Sequence, residues 1–131
     1  MSDRPGPGSS GPQGLPRALR LRRSPDFDRV QRGGRRIHLP HLVVVVLVRA
    51  GPTPRFGLAV SRKVGNAVVR NRVKRWLRES IRRQRGGLDS VDVVFIARPT
   101  AASAGYGAVF AQVGDAFDRI RSGDRSMRER R

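Results

Sequence analysis

The stretch Arg62-Lys63-Val64-Gly65-Asn66-Ala67-Val68-Val69-Arg70-Asn71-Arg72-Val73-Lys74-Arg75-Trp76-Leu77-Arg78-Glu79 decides how the rest of the chain is read. It holds seven cations and one acid. Its second half has helical periodicity. With each residue advancing about 100°, Val69, Val73, Trp76, Leu77, Ser80 and Ile81 fall within an arc of roughly 140°. Asn71, Arg72, Lys74, Arg75, Arg78, Arg82 and Arg83 take most of the remaining surface. One face is therefore fitted to a core while a broad face presents guanidinium groups. A merely solvated face mixes its signs, yet Glu79 is the only acid between Arg62 and Arg85. Gly65 permits a tight turn and Asn66 a cap, so the spacing predicts a helix from Val68 to Arg85, stopped by Gly86-Gly87.

Upstream, Phe56, Leu58 and Val60 share one face of a strand over Arg55–Ser61. His41–Arg49 is dominated by Val and Leu and reads as a strand buried on both faces. Gly51-Pro52-Thr53-Pro54 turns the chain between them, and the two are expected to pair as an antiparallel hairpin. Arg35–Leu39 begins a further strand, interrupted by Pro40. Ser24-Pro25-Asp26-Phe27 opens a short helix with Ser24 as cap and Pro25 at its first position, and Gly33-Gly34 ends it. Phe27 and Val30 share a face there; on residue type alone Phe27 is a core residue.

Downstream, Asp92–Ala97 is another apolar β run. Ala102–Ile120 carries Val109, Val113, Ala116, Phe117 and Ile120 on one helical stripe, although Gly105, Gly107 and Gly114 oppose a helix. The order αβββαβα makes this an α+β chain: a two-layer α/β sandwich with helices covering a small mixed sheet. The strand–basic helix–strand portion suggests a parallel pair. One domain spans 17–121, between a Pro/Gly-rich tail at 1–16, expected to be disordered, and a basic tail at 122–131.

The chain has 131 residues and a formal charge of +18, which calls for a polyanionic partner. Among the cations only Lys63 and Lys74 are lysines, and arginine forks suit phosphate. With no cysteine, a disulfide framework, thiol catalysis and cysteine-ligated zinc are excluded. The run Leu42–Val48 is far shorter than the about 20 residues a bilayer requires, and the first residues lack an apolar signal core. A cytoplasmic protein without membrane contact is expected.

No protein active site emerges. Glu79 sits amid arginines, and Asp89, Asp92, Asp115 and Asp118 form no pattern with a histidine. His38 and His41 stand three apart across Pro40 without further ligands, and no glycine-rich phosphate loop is present. A phosphate-binding face fares better. Arg70, Lys74 and Arg78 recur every fourth residue, with Arg75 and Arg82 as a second line. Few aromatics accompany them, so base readout is not apparent.

The run FGLAVSRKVGNAVVRNRVKRWLRES, Phe56 to Ser80, resembles the signature of the bacterial ribonuclease P protein subunit. The resemblance rests on a strand ending in the basic pair Arg62-Lys63, the link Gly65-Asn66-Ala67-Val68, and then Arg70-Asn71-Arg72-Val73-Lys74-Arg75 with Arg78. It extends from Ser24-Pro25-Asp26-Phe27 through Asp92–Arg98. It implies a left-handed βαβ crossover, against the usual hand. It also implies two partners, a catalytic ribonuclease P RNA and precursor tRNA, whose 5′ leader is removed with Mg²⁺ at an active site belonging to the RNA. The protein itself is then expected to hold no catalytic residue and no metal, and to be monomeric without RNA. By position, Arg70, Asn71, Arg72, Lys74, Arg75 and Arg78 would face RNA, with Arg62, Lys63 and Asn66 at the entrance. Phe27 would line a leader cleft between the first helix and the sheet, which stands beside its reading as plain core. The chain departs from the family where Gln31 replaces a second aromatic, where the central strand is Val-rich, and where Arg62 replaces a lysine. The alternative is a structural RNA-binding protein, such as a ribosomal or assembly factor.

Overall fold

A computed structural model describes residues 15–21, 24–49, 51 and 53–123. In chain order the elements are α1 (Ser24–Gly33), β1 (Arg35–His38), β2 (Leu42–Val48), β3 (Arg55–Ala59), α2 (Ala67–Gln84), β4 (Val91–Ala97), α3 (Ala101–Ala104) and α4 (Tyr106–Arg121). Of the expected tails at 1–16 and 122–131, residues 1–14 and 124–131 lie outside the described residues. Leu15, the first described residue, is already buried, two residues ahead of the expected domain boundary.

The four strands lie in the order β1-β2-β4-β3, with β4 antiparallel to β2 and parallel to β3. The expected hairpin between β2 and β3 does not form. Instead β2 pairs antiparallel with β1 across the bend at Pro40, and β4 inserts between β2 and β3. The reason lies in the side chains. A strand apolar on both faces is buried on both only in the sheet interior. β4 has six of its seven residues buried, whereas β3 carries Arg55 and Gly57 and takes an edge.

Strand alternation divides the core into two. Leu42, Val44, Val46, Phe56, Val93 and Phe95 face α2 and α4 in one cluster. Val45 and Val94 face the other way, with Leu21 and Val30, and Val43, Leu47, Ile96 and Phe27 pack beside them. The sheet and the α2/α4 layer form the sandwich, and α1 lies across the opposite face. Phe117 of α4 knits the larger core, with its ring centroid 5.8 Å from Phe56 and 5.7 Å from Phe95. α2 adds Val73, Leu77 and Ile81, all fully buried, and Ser80, whose Oγ donates to the Trp76 carbonyl at 2.7 Å.

The last helix breaks where glycine argues against it. Gly105 has φ +91°, a left-handed conformation that side chains disfavour, and separates α3 from α4. Among the described residues no helix is long and apolar enough to cross a membrane.

Candidate nucleic-acid interface

The link from β3 into α2 rounds the sheet's edge. Arg62 and Lys63 are exposed in a turn anchored by the buried Val64. Asn66 is the helix cap: its side-chain oxygen accepts the Val69 N–H at 3.0 Å. Arg70 folds back, its Nε donating to the Gly65 carbonyl at 3.1 Å. Two residues expected to meet RNA therefore also hold the helix start together.

At about 100° per residue, Arg70, Lys74 and Arg78 run along one flank of α2, with Asn71 and Arg75 beside them on the outer surface. The first three are half-buried and the other two exposed. Arg72 stands apart on the opposite flank, toward Glu79. There Glu79 accepts from Arg82 at 2.7 Å and Arg83 at 2.5 Å, and these bonds hold its carboxyl below the usual value. No described acid pairs with Arg62, Lys63, Arg70, Arg72, Lys74, Arg75 or Arg78. Burial, with repulsion from Arg20 and Arg75, pushes the Arg78 guanidinium below its ordinary value, although it remains a cation at neutral pH.

Arg20 is a member of this cluster that the helix pattern did not reveal. Its segment straps the β3 edge: Leu15 and Leu19 enter the larger core, Leu21 the smaller one, and the Leu21 N–H donates to the Phe56 carbonyl at 2.8 Å. Leucines at 15, 19 and 21 in an otherwise basic segment are the signal that could have found it, since they need a core to bury them.

On the other sheet face, Phe27 of α1 is half-buried and packs against the smaller core. Its ring lies on Gly57, where a β-carbon would come within 2.7 Å of Cζ. It thus packs on the core while part of its surface stays exposed. The basic flank of α2 lies on the opposite face, and the turn at 62–64 joins the two regions around the β3 edge.

The structure also assembles a group that spacing alone did not suggest. Asp92, fully buried, accepts from Arg49 Nε at 2.6 Å, from Arg55 Nε at 3.0 Å and Nη2 at 2.9 Å, and from Arg29 Nη2 at 3.3 Å. An acid inside an otherwise apolar strand requires such partners, which is the signal the run from Asp92 to Ala97 offered. The histidines do not converge: His41 Nδ1 lies 2.7 Å from Thr100 Oγ1, whereas His38 Nδ1 lies 3.5 Å from an Arg98 nitrogen. Among the described residues no three His, Asp or Glu side chains gather as a metal site.

A family model described as Ribonuclease P matches residues 15–121. The chain belongs to the ribonuclease P protein family. The ribonuclease P protein component of Desulfovibrio desulfuricans is 49% identical over 104 residues, covering 76% of this chain and 80% of its own length. That of a Geobacter species is 36% identical over 107 residues, covering 82% and 92%. Among solved structures, the RNase P protein from Thermotoga maritima matches with a TM-score of 0.70 at 30% identity, covering 77% of this chain and 96% of that one. The family match begins at the buried Leu15 and contains α1, the basic helix and the Asp92 cluster. The α+β class with its small mixed sheet is that of the ribonuclease P proteins.

Proposed function

We propose that this chain is the protein subunit of ribonuclease P, docking on a catalytic RNA and binding the 5′ leader of precursor tRNA in the cytoplasm. It assists endonucleolytic removal of the leader to give the mature tRNA 5′ end. Family membership supports this reading, and one observation carries it: the acid-free flank Arg70, Lys74 and Arg78, with Asn71 and Arg75 beside it. Crowded like charges around the half-buried Arg78 destabilise the isolated chain. A phosphate backbone reverses that sign, with counterion release making the binding steeply salt-dependent. Arg62, Lys63 and Asn66 extend the surface toward the β3 edge, and Arg72 adds charge from the opposite flank. Phe27 would offer an aromatic ring to an unpaired leader base, and base–aromatic stacking is sequence-tolerant.

The carboxylates do not fit a protein-held Mg²⁺. Asp26, Asp92 and Glu79 are each held by arginines. In this reading Mg²⁺ and the scissile chemistry belong to the RNA, and the side chains of this chain bind, orient and neutralise. The test is to mix the purified protein with a cognate ribonuclease P RNA and precursor tRNA at low Mg²⁺. Cleavage is expected to exceed that of the RNA alone. Unchanged cleavage refutes the proposal, and tight RNA binding without enhancement would identify a structural RNA-binding protein instead.

A further inference from the structure

α1 has little to hold it. It is ten residues long, too short to be stable alone, and Val30 is its only fully buried apolar side chain. Phe27, half-buried, is the other apolar anchor. Beyond these and a 3.4 Å hydrogen bond from Arg36 Nη2 to the Gln31 carbonyl, its described side-chain ties are ionic. Asp26 receives Arg29 Nη1 at 3.3 Å and Arg55 Nη1 at 3.7 Å, while Asp92 receives Arg29 Nη2 at 3.3 Å and Arg55 Nη2 at 2.9 Å. The four residues close a ring in which two arginines each bridge the same two acids. Asp26 and Arg29 belong to α1, Arg55 to β3 and Asp92 to β4. Such a ring sets both the height of α1 over the sheet and its rotation, which a single ion pair would leave loose.

The ring stands behind Phe27. Asp26 and Arg29 lie three apart on one flank of α1, whereas Phe27 is about 100° from Asp26 and about 200° from Arg29. On its own side Phe27 has no slack, because its ring already lies on the Gly57 backbone. A small tilt of α1 would lift that ring off its seat.

We propose that the ring Asp26–Arg29–Asp92–Arg55 is a clamp that positions Phe27 for the precursor-tRNA leader, so that Arg29 and Asp26 act on leader binding through Phe27 rather than by touching the leader. This rests on the reading of Phe27 as a wall of the leader cleft. Asp92 also keeps Arg49 as a partner, so breaking the α1 side of the clamp leaves the buried acid paired.

The experiment uses the holoenzyme reconstituted with ribonuclease P RNA. Affinities for precursor tRNA and for the same tRNA lacking its leader are measured, and their ratio is the leader contribution. Phe27→Ala should lower the ratio by roughly tenfold. Arg29→Met and Asp26→Asn should each lower it by about three- to tenfold while affinity for the RNA subunit stays unchanged, as loosening of a supporting shell predicts. Combining Arg29→Met with Phe27→Ala should lower it no further than Phe27→Ala alone. An additive double variant, or a loss in Arg29→Met without one in Asp26→Asn, would make Arg29 a direct phosphate contact and overturn the clamp. If Phe27→Ala lowers the ratio and both clamp variants keep the wild-type value, the clamp falls and the cleft stands. If Phe27→Ala itself changes nothing, the cleft reading falls and takes the clamp with it.

Discussion

Replacing Asp92 with Asn tests the electrostatics of the fold most directly. Asn keeps the volume and one oxygen but turns the other acceptor into an NH₂ group facing arginine donors. Oδ1 now accepts from Arg49 and Arg55, and Oδ2 from Arg55 and Arg29, so two of these four bonds are lost whichever way the amide turns. Removing one partner of a buried pair costs about 3–5 kcal/mol. Here the Arg29, Arg55 and Arg49 side chains are 51%, 26% and 19% exposed, so water takes up part of their charge. The expected loss is accordingly nearer 2–3 kcal/mol, or about 7–11 °C in Tm for a domain of this size. The pH dependence carries a second signature. Burial works to raise the Asp92 carboxyl, but hydrogen bonds from Arg55 and Arg49 reverse this and hold it below the usual aspartate value. A depressed folded value gives stability that is complete above the unfolded pKa, about 4, and is lost as pH falls through the folded value. Thermal unfolding followed by circular dichroism should therefore show a constant gap between wild type and Asp92→Asn from about pH 7 to 5, narrowing below about pH 4. Equal melting temperatures at neutral pH, or a gap that persists in acid, would refute this account.

Four further outcomes follow from the packing and from the basic flank of α2. Leu77→Ala, at a fully buried site, should cost about 2–5 kcal/mol in urea unfolding. Gly57→Ala should cost about 1–3 kcal/mol by displacing the Phe27 ring, and most of that loss should vanish when Phe27→Leu is added; equal penalties in both backgrounds would show that the contact is not the cause. Arg75→Ala should change stability by less than about 0.5 kcal/mol while reducing the salt slope of RNA binding by about one. Arg70→Ala should weaken binding too but also lower the melting temperature, because its Nε supports the Gly65 carbonyl. A melt as unchanged as that of Arg75→Ala would show that this bond is energetically idle.

The basic helix was legible almost to the residue. It was expected over 68–85 and spans Ala67–Gln84, because cap, apolar stripe and glycine stop are all written within a few turns of chain. The role of Asn66 as cap was equally readable. Its neighbour Arg70 was not, since a half-buried guanidinium bonded to Gly65 looks the same in sequence as an exposed one. Phe27 likewise carried two readings, core and cleft wall; its ring packs on the smaller core over Gly57, and its partial exposure leaves the second to experiment. The Asp92 cluster was hidden for a simpler reason: its arginines are 63, 43 and 37 residues away.

Sequence by itself determined the elements, the one-sided charge of α2 and the family resemblance, because periodicity, capping and motif spacing are local properties. It also marked β2 as a strand buried on both faces and β4 as a second apolar run. Only the tertiary structure decided their order. A chain neighbour such as β3 wins the place beside β2 only if nothing buries more surface there, and β4, apolar on both faces, does. The same competition set α1 against the far face of the sheet, where two acids and their arginines, distant in sequence, had to meet because neither charge can be buried alone.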